Sequence, residues 1–293
     1  TNINAFTNQD YTAYYNSFPP NQIEKWLELY SHRFQNPVFR LFQSELETVY
    51  EEKNIYMDNP LNIVIEEILK NVFKNHPYGQ QSVLGKVEHL KNPSLDKMYK
   101  FYKDYYVPNN MVLALSGDFD SEKIIPIINE KFKNWKSGKI PKFPEYKEEP
   151  FNKREFFEKK LTPIKIGALV IRSPKNGDLD KIKFDMALQT LYNYEETGFL
   201  NKLRDEGKLM DSGLLKFENN DHGATLIYFI PKLIGQKLNA AEKIIKNQIE
   251  KLKKGDFSED FVEALKINSI KENSYKWESN ESRALEMVSA FSQ

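Results

Sequence analysis

Four glutamates crowd into residues 42–54, "FQSELETVYEEKN": Glu45, Glu47, Glu51 and Glu52. Carboxylates at such spacing can bind a metal, act as bases, or simply wet one side of a helix. A helix advances about 100° per residue, so positions seven apart return to nearly the same face. On a helix running from about 37 to 55, with Val38 as zero, Val49 and Phe42 lie at roughly +20° and +40° and Leu41 at about −60°. Glu45 and Glu52 fall inside that apolar stripe, whereas Glu47 and Glu51 point to the opposite side. Burying an unpaired carboxylate costs several kcal/mol, so two inward acids call for a cation, a donor or a metal. The alternative is a helix at an edge of the fold, from which both acids reach water.

The elements that must position these acids are readable from pattern. "INAFT" and "YTAYYNSF" are two strands joined by the polar turn "NQD", and Pro19-Pro20 ends the second. Helices are expected at 21–35, 37–55, 60–74, 94–106 and 121–135. "HPYGQQSVLG" is loop-like and "NMVLALSGDF" is a strand. In that loop His76 reads as a residue that positions Pro77-Tyr78-Gly79. Asp118 and Asp120 read as turn and cap residues. The Pro- and Lys-rich stretch at 141–153 separates a first domain, 1–140, from a second, 154–293. The second holds expected strands at 154–160, 165–172, 213–218 and 224–230. Its helices are expected at 178–193, capped by Asp178 or Asp180, and at 237–253 and 258–275.

The second domain restates the first. A hairpin and two helices occur at 1–55 and again at 213–275. An offset of 218 aligns Glu24-Lys25 with Glu242-Lys243, Glu45 with Glu263, Val49 with Ile267 and Lys53 with Lys271. A unit this long implies tandem domains rather than a solenoid. At the same offset Glu52 meets Ile270, so the fold does not require an acid there.

Composition narrows the function. The 293 residues carry 42 basic and 42 acidic side chains, for a net charge of zero, without a basic stripe for nucleic acid. No apolar run approaches the roughly 20 residues that span a bilayer. With no cysteines, disulfides, thiolate metal sites and cysteine nucleophiles are excluded. The chain opens in mid-strand pattern and ends in an unfinished helical one, as expected of a piece of a longer protein.

Five stretches, in order, resemble the pitrilysin/insulinase family of zinc metallopeptidases, the inverzincins. "NINAFTNQDYTAYY" is similar to the family's Asn-Ala-Phe-Thr hairpin, and "ELETVYEE" to its Glu-x-x-x-Val-x-x-Glu helix. "NHPYGQQSVLG" matches its His-Pro-Tyr-Gly segment and "YYVPNNMVLALSGDFD" its Tyr-x-Pro-x-Asn-Met strand. "GFLNKLRDEG" resembles the start of its second repeat. The resemblance implies an α+β fold of tandem two-layer sandwich repeats, each a mainly antiparallel sheet with helices on one face. It implies that Glu52 is the third protein ligand of a catalytic zinc and that Glu45 supports the site from nearby. Asn4, Ala5 and Phe6 then lie on an edge strand to which a substrate peptide adds. The other two ligands and the general base belong to an H-x-x-E-H helix. No such motif occurs among these residues, whose four histidines are His32, His76, His89 and His222.

The expected activity is therefore that of part of a zinc metalloendopeptidase. It would act on peptides or unfolded polypeptides, alongside further repeats of its own polypeptide or a partner subunit. Alone, the chain is expected neither to cleave nor to retain zinc, because a single carboxylate does not hold the ion. The alternative is a catalytically dead relative that only binds. Retention of both Glu45 and Glu52 favours the enzyme.

Overall fold

The computed structural model describes residues 2–160 and 163–292. Thr1, the first residue of the opening repeat, lies outside them, as do Leu161, Thr162 and Gln293. In chain order the elements are β1 (Asn2–Thr7), β2 (Thr12–Ser17), α1 (Ile23–Gln35), α2 (Phe42–Asp58), α3 (Pro60–Val72), α4 (Pro77–Gln80) and α5 (Val87–Lys91). Next come α6 (Leu95–Tyr105), α7 (Ser121–Phe132), β3 (Gly167–Ser173), α8 (Lys181–Leu191) and α9 (Asn201–Asp205). The rest are β4 (Asp211–Phe217), β5 (Gly223–Ile230), α10 (Leu238–Lys254), α11 (Glu259–Lys276) and α12 (Asn280–Ser292). They form two compact units: Thr1–Asn59 with Gln81–Lys147 and Lys276–Ser292, and Pro60–Gln80 with Glu148–Tyr275. The mixed helix-and-antiparallel-sheet class is the one expected from sequence.

In the first unit β1 and β2 form an antiparallel hairpin in which Ala5 faces Tyr14 and Asn4 faces Tyr15. Its turn is set by Asn8, whose Oδ1 accepts the N–H groups of Asp10 at 2.9 Å and Tyr11 at 2.8 Å. Such an Asx arrangement closes a tight loop without a glycine. α1 buries Leu27, Tyr30 and Ser31, residues three and four apart on one face. Asn36-Pro37 ends it, as proline disfavours helical backbone in the residue before it. Leu41 then takes a left-handed conformation (φ 54°), so α2 starts at Phe42 and not near residue 37. Residues 111–116, expected as a strand, make no ladder among the described residues. Periodicity reports an extended apolar run but not whether a neighbour pairs with it. Asp120 caps α7 as expected, its Oδ1 accepting the Glu122 N–H at 3.0 Å.

The second unit is built on a three-stranded antiparallel sheet, β3-β5-β4. Central β5, "GATLIYFI", is apolar almost throughout because both its faces are covered. Ile227 and Phe229 join Leu188, Leu191, Leu203 and Ile245 in one buried cluster, with α8, α9 and α10. Ala224 and Leu226, one step out of phase, join Ile68, Val72 and Phe73 of α3 and its C-terminal turn. The stretch 154–160, expected as a strand, likewise makes no ladder among the described residues. Asp180 precedes α8 without capping it through its side chain, and Asp178 Oδ2 instead accepts the Lys175 N–H at 3.1 Å.

The "HPYG" segment is more ordered than a loop. Glu148, from the Pro- and Lys-rich stretch, is a buried carboxylate seated on three consecutive backbone donors. These are the N–H groups of Lys74 (3.2 Å), Asn75 (2.6 Å) and His76 (2.7 Å). Arg172 Nη2 adds a charge-assisted bond at 3.0 Å. The same guanidinium donates to the Val72 and Glu149 carbonyls and lies 4.5 Å from the Phe151 ring centroid. Pro77–Gln80 forms a helical turn, α4, pressed against α3. A side chain at Gly79 would place its Cβ 2.3 Å from the Phe73 carbonyl oxygen and 2.4 Å from that of Leu69. Only glycine fits there. His76 is buried; its Nδ1 accepts the Tyr78 N–H at 3.1 Å, and Nε2 lies 3.2 Å from Asp221 Oδ2. With Nδ1 accepting, the proton sits on Nε2 and the ring is neutral.

Two predictions follow from these interiors. Burial holds the His76 imidazole below its ordinary value of 6.5, and the hydrogen bond it donates to Asp221 only partly opposes this. A lowered folded-state value means the unfolded chain binds the proton first, so this contribution is full above about pH 6.5 and declines as pH falls below it. Replacing His76 with asparagine should flatten the dependence of unfolding free energy on pH between about 6.5 and 5 by at most about 1.4 kcal/mol per pH unit. Urea titrations at several pH values read this directly, and an unchanged slope would contradict it. Separately, the Thr225 hydroxyl at the centre of β5 is fully buried and has no hydrogen-bond partner among the described residues. Thr225→Val keeps the shape and removes the orphan group, so it should raise stability by about 1 kcal/mol in urea denaturation.

Candidate metal centre and peptide-accepting edge

α2 packs on α5, with Lys53 buried and Phe42, Leu46, Val49, Tyr50 and Met57 partly so. With Val49 as zero, Phe42, Lys53, Leu46 and Tyr50 lie at about +20°, +40°, +60° and +100°. Glu45 and Glu52 lie at roughly −40° and −60°, on the flank of that stripe rather than within it. The inward placement expected from sequence is not met. It counted Val38 and Leu41 into the stripe, and both precede the helix and stand 66% and 80% exposed. Glu45 and Glu52 are exposed, and among the described residues neither carboxylate has a hydrogen-bond or ion-pair partner. Glu47, by contrast, accepts from Gln43 Nε2 at 3.2 Å. An open groove of about 270 Å³, lined by Gln43, Leu46, Glu47, Tyr50, Leu90 and Lys91, lies on the other flank and excludes both acids.

β1, which carries Asn4, Ala5 and Phe6, is exposed along its whole length. The Asn8 N–H bonds the Tyr11 carbonyl at 3.0 Å. By antiparallel alternation the ladder bonds then fall on pairs 6/13, 4/15 and 2/17, leaving the N–H and C=O of Ile3, Ala5 and Thr7 facing away from β2. The Ala5 N–H confirms this phase, since it donates instead to its neighbour's Asn4 Oδ1 at 2.8 Å. The outer edge of β1 thus presents a row of backbone groups of the kind that pairs with an added strand. Phe6 sits on the face with Tyr11 and Tyr15, at centroid distances of 5.8 and 6.2 Å.

The acids and the edge lie in the same unit, but no extensive packing joins α2 to β1. Among the described residues, no group of three or more His, Asp or Glu is placed to hold a metal. Zinc takes three or four nitrogen, oxygen or sulfur donors, and a glutamate such as Glu52 is a carboxylate of the kind that supplies one such ligand. His76 has both ring nitrogens occupied within the second unit. Sequence reasoning missed the polar seat of the hairpin. Tyr14 meets the Tyr106 hydroxyl at 2.9 Å, and Asn16 Oδ1 accepts from Trp26 Nε1 at 2.8 Å. The signal was present as polar and aromatic residues at alternate positions of β2, but pattern alone does not say what they meet.

Comparison with known proteins bears on the same segments. Residues 1–84 match the model of the insulinase family (peptidase family M16), and residues 93–269, more than half of the chain, match the peptidase M16 inactive domain. A zinc protease of Helicobacter pylori, PqqE, is 24% identical over 272 residues, covering 90% of this chain and 61% of that protein. An uncharacterised zinc protease of Bacillus subtilis, YmfH, is 32% identical over 176 residues, 59% of this chain and 39% of its own length. The chain therefore spans less than two thirds of the length of these two relatives. The crystal structure of a protease from Helicobacter pylori superposes with a TM-score of 0.83 over 99% of this chain and 72% of that one, at 23% identity. That likeness speaks to the fold. With family models matching nearly end to end, the chain belongs to peptidase family M16, the insulinase family.

Proposed function

We propose that this chain is the part of a zinc-dependent metalloendopeptidase that follows the metal-binding helix, acting on peptides or unfolded polypeptides. In this reading residues 1–140 complete a catalytic-type repeat, 141–153 link, and 154–293 form a non-catalytic repeat. The observation that carries it is the pair of exposed, unpartnered carboxylates on one flank of α2. Glu52 is the zinc ligand and Glu45 supports it. The edge of β1 at Asn4, Ala5 and Phe6 accepts the substrate backbone as an added strand. Bound zinc supplies a water activated near neutral pH. This chain's own contribution is one oxygen donor, a second carboxylate to hold and orient it, and a strand edge that presents the peptide. The match of residues 93–269 to a domain described as inactive supports a walling rather than a chemical role for the second repeat. On this reading the chain alone neither retains zinc nor cleaves peptides, because the remaining ligands come from elsewhere in the parent polypeptide or from a partner.

Two substitutions in the full-length protein test the ligand assignment. Glu52→Gln should lower zinc affinity by more than about 100-fold and abolish cleavage of an unstructured peptide. Stability, an exposed side chain being changed, should stay within about 0.5 kcal/mol. Glu45→Gln should cost about 10- to 100-fold in metal affinity or activity. Metal analysis after dialysis, with peptide cleavage followed by mass spectrometry, reads both. Full zinc and full activity in Glu52→Gln would overturn the assignment. A wild-type full-length protein that binds the peptide but neither zinc nor cleaves would replace the enzyme by a binding subunit.

A further inference from the structure

β1 gains little from packing of its own: it is exposed at every position, with Phe6 set against the Tyr11 and Tyr15 rings. Its place is dictated by β2, and β2 is held on one face by polar contacts. The hydroxyls of Tyr14 and Tyr106 meet at 2.9 Å. Asn16, two residues on, accepts from Trp26. Tyr14 and Asn16 lie two apart along the strand and so share that face.

Tyr14 is the member directly across from Ala5, whose backbone groups face the free edge. Tyr106 is itself rigidly set. Its ring stacks on Tyr102 at 4.2 Å and lies 6.4 Å from Phe34, its N–H bonds the Tyr102 carbonyl at 2.8 Å, and Tyr102 donates to the Phe34 carbonyl at 3.0 Å. Burial also raises the Tyr106 phenol well above its ordinary value, so it stays protonated and able to donate at any working pH.

We propose that Tyr106, through its hydroxyl contact with Tyr14, is a positioning residue that sets the register and height of the peptide-accepting edge at Ala5. The inference rests on the reading of β1 as that edge. Tyr106 touches neither metal nor peptide; it acts through β2. Its loss should therefore weaken peptide capture while leaving the chemistry of a captured peptide intact.

The test is steady-state cleavage of an unstructured peptide by full-length protein carrying Tyr106→Phe, Tyr14→Phe, both, or Ala5→Pro. Either phenylalanine keeps the ring and removes the hydroxyl pair. Each should raise KM about five- to tenfold with kcat within about twofold and zinc content unchanged. The double variant should be no worse than either single one, because all three lose the same bond. Amide exchange at Asn4 and Phe6, the ladder donors of β1, should quicken in the same variants. Proline at position 5 removes an edge-facing N–H without touching the ladder, so it probes the edge itself. An unchanged KM in Ala5→Pro would refute the edge reading. A raised KM there with normal KM and exchange in both phenylalanine variants would refute the positioning role alone. A fall in kcat to match the rise in KM would refute it too, pointing to general loss of structure. Should Tyr106→Phe fail to fold, Tyr14→Phe breaks the same bond from the strand side and decides the question.

Discussion

An ionised carboxylate without a partner is cheap in water and costs several kcal/mol in an interior, and this asymmetry organises α2. The helix must bury one side to be held at all. It does so with Phe42, Leu46, Val49 and the stem of Lys53, while Glu45 and Glu52 stay on the adjacent flank in contact with water. A buried pair of acids would have demanded internal cations, and those would then compete with any metal. Exposed and unpaired, the two carboxylates remain available to a cation supplied from outside this chain. The corresponding position in α11 is instructive: Ile270 stands 68% exposed, so neither helix uses that site for packing. Whatever Glu52 contributes is not burial.

The two sheets show the same logic at opposite extremes. β5 is saturated, with a strand on either side and helices over both faces, and it carries the second unit's core. Among the described residues β1 has one neighbour and an open edge. An element with so few contacts cannot position itself, which is why the polar face of β2 matters. In the second unit the Glu148 carboxylate, held by three backbone donors and Arg172, does comparable work for the "HPYG" turn. In both places a satisfied polar contact fixes backbone that apolar packing leaves loose.

Most elements were legible from residue pattern, most clearly α1, α6 and α10, whose apolar residues recur on one face. α1, α6, α10 and α11 lie within a few residues of expectation, and α1 and α2 shifted by 218 fall inside α10 and α11. The hairpins do not keep that offset, since seven residues, 231–237, separate β5 from α10 while five, 18–22, separate β2 from α1. Repeat comparison sees helix faces better than loop lengths. What pattern could not supply was partnership. It could not show that 111–116 and 154–160 find no ladder partner among the described residues, that Leu41 adopts a left-handed backbone and delays α2, or that Glu148 leaves a linker-like stretch to seat on residues 74–76. The candidate acids were found by spacing, but their side of the helix was misjudged by including residues that are not helical.

The central claim is that Glu52 is a zinc ligand whose partners lie outside these residues. A crystal structure of the full-length protein, with anomalous scattering recorded at the zinc edge, tests it most directly. The account predicts one zinc per chain with a Glu52 carboxylate oxygen at about 2.0–2.2 Å. A zinc ion coordinated without Glu52 would contradict it.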